Sequence, residues 1–296
     1  MRAAFVINTL SIFEDRTVVD EHPIFEVPMH LTNGDWQYPD DGPVRADEKY
    51  DAVQTAWTQG CLRGSPPPAE TYREQFKKAF AAGDAVYVFL PGEELMGSAA
   101  ARIGRQLAEE KGLGRLRVWQ HETMPSAGPL LAVLSARLAA DTDSAEHLEA
   151  KIDSLAEHTT GVMTFPHFND IVGNMSHIEH YRDRPFEIYP VVTGGEDGVI
   201  DPITAVCTEK QVCDEMVEFA KQEATLYGNG SDGPVAYGVI DMFADSARGG
   251  LRKRLREEFP DAEEIGPFKP GRAWSMVAGE GAFGVTFCHS LPEDNS

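Results

Sequence analysis

Lysine is scarce in this chain: nine lysines and seventeen arginines face 48 acidic residues, for a formal charge of −22. So large an excess of one sign makes binding to nucleic acid or to an anionic membrane surface unfavourable. It fits a cytoplasm rich in salt as well as it fits an ordinary acidic protein. Cysteine is sparse too, and Cys61, Cys207, Cys213 and Cys288 are scattered with no C-x-x-C spacing. That argues against a disulfide framework and a zinc knuckle and leaves reduced thiols. No run of about 18 apolar residues occurs, so no membrane span is expected. The opening apolar stretch turns polar at Asn8, too soon for a secretion signal, and the expected location is the cytoplasm. A Gly-x-Ser-x-Gly elbow, a P-loop and a dinucleotide fingerprint are all absent, and Gly92-Glu93-Glu94 sets acids where a phosphate cradle needs neutral or basic groups. A standard hydrolase, kinase or dehydrogenase is thereby disfavoured, and no cofactor and no catalytic residue is expected.

What is present is an alternation of apolar runs and helical periods. With 296 residues and 42% hydrophobic composition, the chain is long enough for two medium domains. Strands are expected at 3–9, 24–31, 85–90 and 116–119, and helices at 70–82, 96–111, 126–140 and 144–157. Strand alternating with helix implies a parallel sheet covered on both faces. The pattern changes near Thr159-Thr160-Gly161, which sets the expected domain boundary. The second half carries strands at 186–192, 202–206, 235–240 and 284–287, with helices at 211–227 and 247–259. Gly194-Gly195-Glu196-Asp197-Gly198 reads as a hairpin-type turn and makes this half partly antiparallel. The fold class is therefore α/β, with a mostly parallel sheet flanked by helices in 1–158 and a mixed sheet with helices in 159–296.

Between Arg63 and Arg102 lie two small-residue turns, Gly64-Ser65-Pro66-Pro67 and Leu95-Met96-Gly97-Ser98, each where an apolar run gives way to a helical period. Backbone N–H groups and the Ser65 and Ser98 hydroxyls can converge there on one anionic group, or the two serines can simply cap their helices. His177-Ile178-Glu179-His180 spaces two imidazoles three apart, with His167 nearby. That is not the His-Glu-x-x-His pattern of zinc proteases, so polar or capping roles are expected and no metal site. His121 and Glu122 follow a strand end, where α/β proteins place ligands, and His121 either lines a pocket or bonds a neighbouring loop. Cys288 ends the last expected strand and reads as a small apolar residue.

The order of the turns resembles the DegV family of bacterial fatty-acid-binding proteins. Val6-Ile7-Asn8-Thr9 stands at the family's first strand end, and Leu31-Thr32-Asn33-Gly34-Asp35 before its Asp-Gly turn. Gly64-Ser65-Pro66-Pro67 falls at its Thr-Ser-Gln-Pro turn and Leu95-Met96-Gly97-Ser98 at its Leu-Ser-Gly-Thr turn. Tyr189-Pro190-Val191-Val192 matches a Lys-Pro-Ile-Leu strand, and Gly279-Glu280-Gly281-Ala282-Phe283-Gly284 the closing Gly-Pro-Gly motif. The resemblance implies a two-domain DegV-like fold holding one long acyl chain between the domains, as a carrier and not a catalyst. Its ligand is then a long-chain fatty acid or a similar hydrophobic acid.

The resemblance also marks departures. The family's carboxylate-binding threonine falls at Gly64 and the serine of its second turn at Met96. Its Gly-Gly-Arg-Ile segment falls near Val172-Gly173-Asn174, with no arginine, and its C-terminal histidine near Val277. Without that cation and that imidazole, much of the electrostatic support for phosphoryl transfer is gone, so a standard fatty acid kinase is not the expected partner enzyme. Arg182 and Arg184 substitute only if their loop is rearranged. The expected ligand-binding residues are Ser65 and Ser98 as hydroxyl donors, Gly64 and Gly97 as backbone amides, Gly279 and Gly281 as a close-approach loop, and Met96 in the pocket wall. Asn8, Thr9 and His121 complete the set. The competing expectation is a scaffold repurposed as an enzyme or a binder of another small metabolite through His121, His167 and His177.

Overall fold

A computed structural model describes residues 1–33, 36–40, 63–91, 98–111, 115–121, 124–165, 189–194, 200–227, 233–242 and 244–292. Its first sheet is wholly parallel, in the order β3-β1-β7-β8, from β1 (Ala3–Asn8), β3 (Ile24–Val27), β7 (Ala85–Pro91) and β8 (Arg115–His121). These strands read as apolar runs because both faces are covered. Ala4, Val6, Val86 and Val88 pack with residues of α2 (Ala69–Ala82) and α3 (Ser98–Lys111). Phe5, Tyr87 and Phe89 point the other way, with Leu130, Leu131 and Val133 of α4 (Ala127–Ala140).

The second sheet is mixed, in the order β11-β10-β9-β15-β12-β14-β2, with a short β13 (Glu263–Glu264) beside β12. Its strands are β2 (Ser11–Phe13), β9 (Thr159–Thr164), β10 (Tyr189–Gly194), β11 (Ile200–Val206), β12 (Ala236–Asp241), β14 (Phe268–Pro270) and β15 (Phe283–Cys288). The antiparallel β10–β11 pair agrees with the hairpin read at 194–198. Val162, Tyr237, Val285 and Phe287 face α6 (Glu209–Tyr227) and α7 (Asp245–Glu258), while Met163, Phe165, Ile240 and Phe268 face α4.

Helix α4 is thus the shared floor of both sheets, touching β1 and β7 on one side and β9, β12 and β15 on the other. Residues 127–136 are all buried, and each large aliphatic side chain among them contributes roughly 1.5–3 kcal/mol by leaving water. Ser126, just before it, hydrogen-bonds Thr286 of β15 at 2.5 Å. The next helix, α5 (Ala145–Glu157), begins where the Ser144 hydroxyl accepts the His147 N–H at 3.1 Å.

Three features differ from the sequence reading. The single strand expected at 24–31 is two strands in different sheets. Pro28 offers no N–H to continue a ladder, and the Met29 N–H and carbonyl are taken by Thr9 Oγ1 at 2.9 Å and by the Asp40 N–H at 2.6 Å. β4 (His30–Asn33) then forms a small antiparallel sheet with β5 (Trp36–Pro39) and β6 (Arg63–Ser65). β2, early in the chain, pairs with β14 and so belongs to the second sheet. Two short helices, α1 (Thr17–Glu21) and α8 (Arg272–Ala278), were not read from the periodicity. Among the described residues, no helix is long and apolar enough to cross a membrane.

Candidate ligand site at the junction of the sheets

In a parallel sheet every carboxyl end lies on one edge, and ligands of open α/β sheets bind beyond it. Here that edge carries Asn8 of β1, Pro91 of β7 and His121 of β8, which faces Pro91 in register. Thr9 and Leu10 lead from the same edge into β2, so the edge abuts the end of the second sheet. β14 passes into α8 at that end, and the loop after α8 enters β15.

Asp40 fastens the junction. Its carboxylate is fully buried and accepts the N–H groups of Arg272 at 3.1 Å and Ala273 at 2.8 Å, capping α8 from 232 residues away in sequence. The Arg272 guanidinium stands 3.9 Å from the same carboxylate. Asp40 is held in turn by Thr9, whose hydroxyl donates to the Asp40 carbonyl at 3.1 Å. Gly271 is required here by close approach: a Cβ on it would lie 1.8 Å from the Thr9 carbonyl oxygen. Asn8 accepts the Leu10 N–H at 3.0 Å, and the Leu10 carbonyl accepts the Gly271 N–H at 3.1 Å. Both Asn8 and Thr9 therefore serve the junction by holding its backbone.

Gly64 and Ser65 sit on β6, opposite Leu31 and His30 of β4. A Cβ on Gly64 would stand 3.3 Å from the Ala273 side chain, so α8 occupies the space that a larger residue would need. Successive residues of a strand face opposite sides, which turns Ser65 away from α8. Its hydroxyl donates to the His30 carbonyl at 3.4 Å, a weak bond. The His30 ring lies on the same side, with Nε2 3.4 Å from the Thr71 hydroxyl and Nδ1 buried without a protein partner. Burial pushes the His30 pKa down.

Gly279 and Gly281 end α8 with φ of +79° and +82°, conformations that favour glycine. Their N–H groups go to the Ser275 carbonyl at 3.0 Å and the Met242 carbonyl at 2.7 Å, which ties this loop to the end of β12. Ser98 is the first residue of α3 and His121 the last of β8. Met96, Gly97, His167, His177 and His180 lie outside the described residues, as do Gly173, Arg182 and Arg184. Among the described residues, no group of three or more His, Cys, Asp or Glu is placed to hold a metal ion. Burial raises the Cys288 thiol to about 11.

Sequence reasoning missed His30, Asp40 and Trp274. Asp40 sits in Pro39-Asp40-Asp41-Gly42, which reads as a turn. Trp274 of α8 meets Phe165 edge-on at 6.2 Å, and its indole N–H is buried with no acceptor among the described residues.

Known proteins place this architecture. A structure of a DegV family protein from Eubacterium eligens loaded with heptadecanoic acid superposes with a TM-score of 0.81 at 14% identity, covering 97% of this chain and 100% of that one. A DegV family protein from Thermus thermophilus, solved in connection with fatty acid binding, gives 0.78 at 16% identity over 97% and 100%. The Fatty Acid Kinase (Fak) B3 protein of Streptococcus pneumoniae loaded with linoleic acid gives 0.74 at 17% identity over 98% and 100%. No protein with a curated description matches the chain. The family model described as "Uncharacterised protein, DegV family" matches residues 9–290, and the chain therefore belongs to the DegV family.

Proposed function

We propose that this protein binds one long-chain fatty acid, or a related hydrophobic acid, between its two halves and acts as a carrier without catalysing a reaction. The observation that carries the reading is the end-to-end match, by family model and by fold, to relatives solved with heptadecanoic and linoleic acid. The physical case is simple. Each methylene withdrawn from water supplies about 0.8 kcal/mol, so a dozen supply on the order of 10 kcal/mol, and the head-group contacts need only orient the acid.

The halves are assigned to 1–158 and 159–296, with β2 reaching across. The polar end belongs at the junction, with the Gly64 and Gly97 amides, the Ser98 hydroxyl and the Gly279–Gly281 loop around it and Met96 in the wall. Ser65 joins them only by giving up its 3.4 Å bond to His30. His121 lies on the rim. The missing arginine and histidine favour a partner other than a standard fatty acid kinase, in a cytoplasmic setting.

Calorimetric titration of the delipidated protein with heptadecanoic acid tests this. One saturable site per chain, with the negative heat-capacity change of apolar burial, is expected. Absence of saturable binding overturns the reading.

A further inference from the structure

The described part of the junction offers few side-chain donors. Gly64 has no side chain and its outward direction is blocked by Ala273. The Thr9 hydroxyl is spent on the Asp40 carbonyl, and the Ser65 hydroxyl is turned toward His30. The N–H groups of Gly279 and Gly281 are spent on Ser275 and Met242. Trp274 is different. It follows Ala273 on α8, packs on the apolar core shared by the two sheets, and meets Phe165 where β9 ends. Its indole N–H is buried and has no acceptor among the described residues. An N–H in that condition carries a desolvation cost that an incoming acceptor removes, and a carboxylate is the strongest acceptor a fatty acid brings.

We infer that the Trp274 indole N–H donates a hydrogen bond to the carboxylate of the bound acid and that Trp274 selects acids over neutral lipids of equal length. The inference rests on the carrier reading. α8 makes it possible in two ways: Ala273 fills the place beside Gly64, and the next residue presents the donor. The Asp40 cap fixes the start of the helix and therefore the position of the indole. Trp274 acts here by binding and orientation, and no bond is made or broken.

The test uses the full chain, delipidated, with heptadecanoic acid and 1-heptadecanol as probes. Trp274→Phe keeps an aromatic ring against Phe165 and removes the donor together with the second ring of the indole, an apolar loss that acid and alcohol probes share. It is expected to weaken acid binding about tenfold or more, as for a hydrogen bond to a charged group, and to leave alcohol binding within about twofold. With ¹⁵N-labelled tryptophan, the indole resonance absent from Trp274→Phe is expected to move downfield when the native protein takes up acid, a readout independent of the variant's stability. Saturable acid binding with that resonance unmoved, or with the variant as tight as the native chain, overturns the inference and leaves the carrier reading intact. A native chain that binds neither probe overturns both.

Discussion

Trp119 and Trp274 put the same side chain into two different settings. On the flank of the parallel sheet, Trp119 donates its indole N–H to Asp153 at 2.7 Å, and the Arg117 guanidinium lies over its ring at 4.4 Å. Arg117 also pairs with Asp153 at 2.6 Å and with Glu149 at 3.2 Å, and Arg115 reaches Glu149 and Glu146. The indole N–H of that tryptophan is answered within the fold. Trp274 has an apolar neighbour and a buried N–H with no acceptor among the described residues. The flank is complete as it stands, whereas the junction has a donor with no acceptor among the described residues. A carboxylate meets the indole in the first region, and the proposed ligand brings one to it in the second.

The most severe way to break the comparison is to break the junction. Gly271→Ala forces a Cβ to 1.8 Å from the Thr9 carbonyl, a backbone clash expected to cost about 4 kcal/mol or more. Denaturant unfolding reads it directly. Asp40→Ala is next. It strips two buried N–H groups of their acceptor and leaves the nearby Arg272 guanidinium short of a carboxylate, for a loss of about 3 kcal/mol in the same assay.

His289 sharpens the comparison, because it too has a buried nitrogen, Nδ1, without a protein partner. It lies at the far end of the second sheet and has a fold-internal answer: it stays neutral. Burial first, and then the neighbouring His158, hold its pKa down at about 4, while Nε2 contacts the Thr160 hydroxyl at 2.8 Å. The unfolded chain takes up this proton near the ordinary value of 6.5 and the folded chain only near 4. Protonation between those values favours unfolding, so the stability is full above pH 6.5 and falls as the pH drops toward 4. The loss is about 3 kcal/mol at most. Stability measured against pH should bend in that window while the His289 ring resonance does not titrate there.

Asp153→Ala converts Trp119 to the condition of Trp274. It leaves a part-buried indole N–H without its carboxylate and is expected to cost about 1 kcal/mol. Trp274→Phe is the smallest perturbation to the ligand-free protein. Removing a donor that has no acceptor among the described residues should change its stability by less than about 1 kcal/mol. A large loss there would mean that the two tryptophans play the same structural part.

Much of this architecture is legible in the sequence, and the reason is local. β1, β7, β12 and β15 are unbroken apolar runs, and α2 and α4 through α7 carry a helical period, so their strands and helices fall within a few residues of the expected bounds. α8 is not legible. Its N-terminal N–H groups are capped by Asp40, 232 residues away, and nothing in Pro270-Gly271-Arg272-Ala273 announces that partner. The break at Pro28-Met29 is visible only in hindsight, since the bonds that redirect β4 come from Thr9 and Asp40. For the proposed site, turn context points to the glycines at 64, 279 and 281. Trp274 carries no motif and is proposed only by asking where its N–H goes.

The central claim is that a hydrophobic acid belongs to this fold, and the most direct measurement is native mass spectrometry of the protein as purified from its own host, followed by denaturing extraction and identification of the small molecule. One acyl acid per chain, released on unfolding, is expected. A protein that arrives empty and remains empty after incubation with heptadecanoic acid would contradict it.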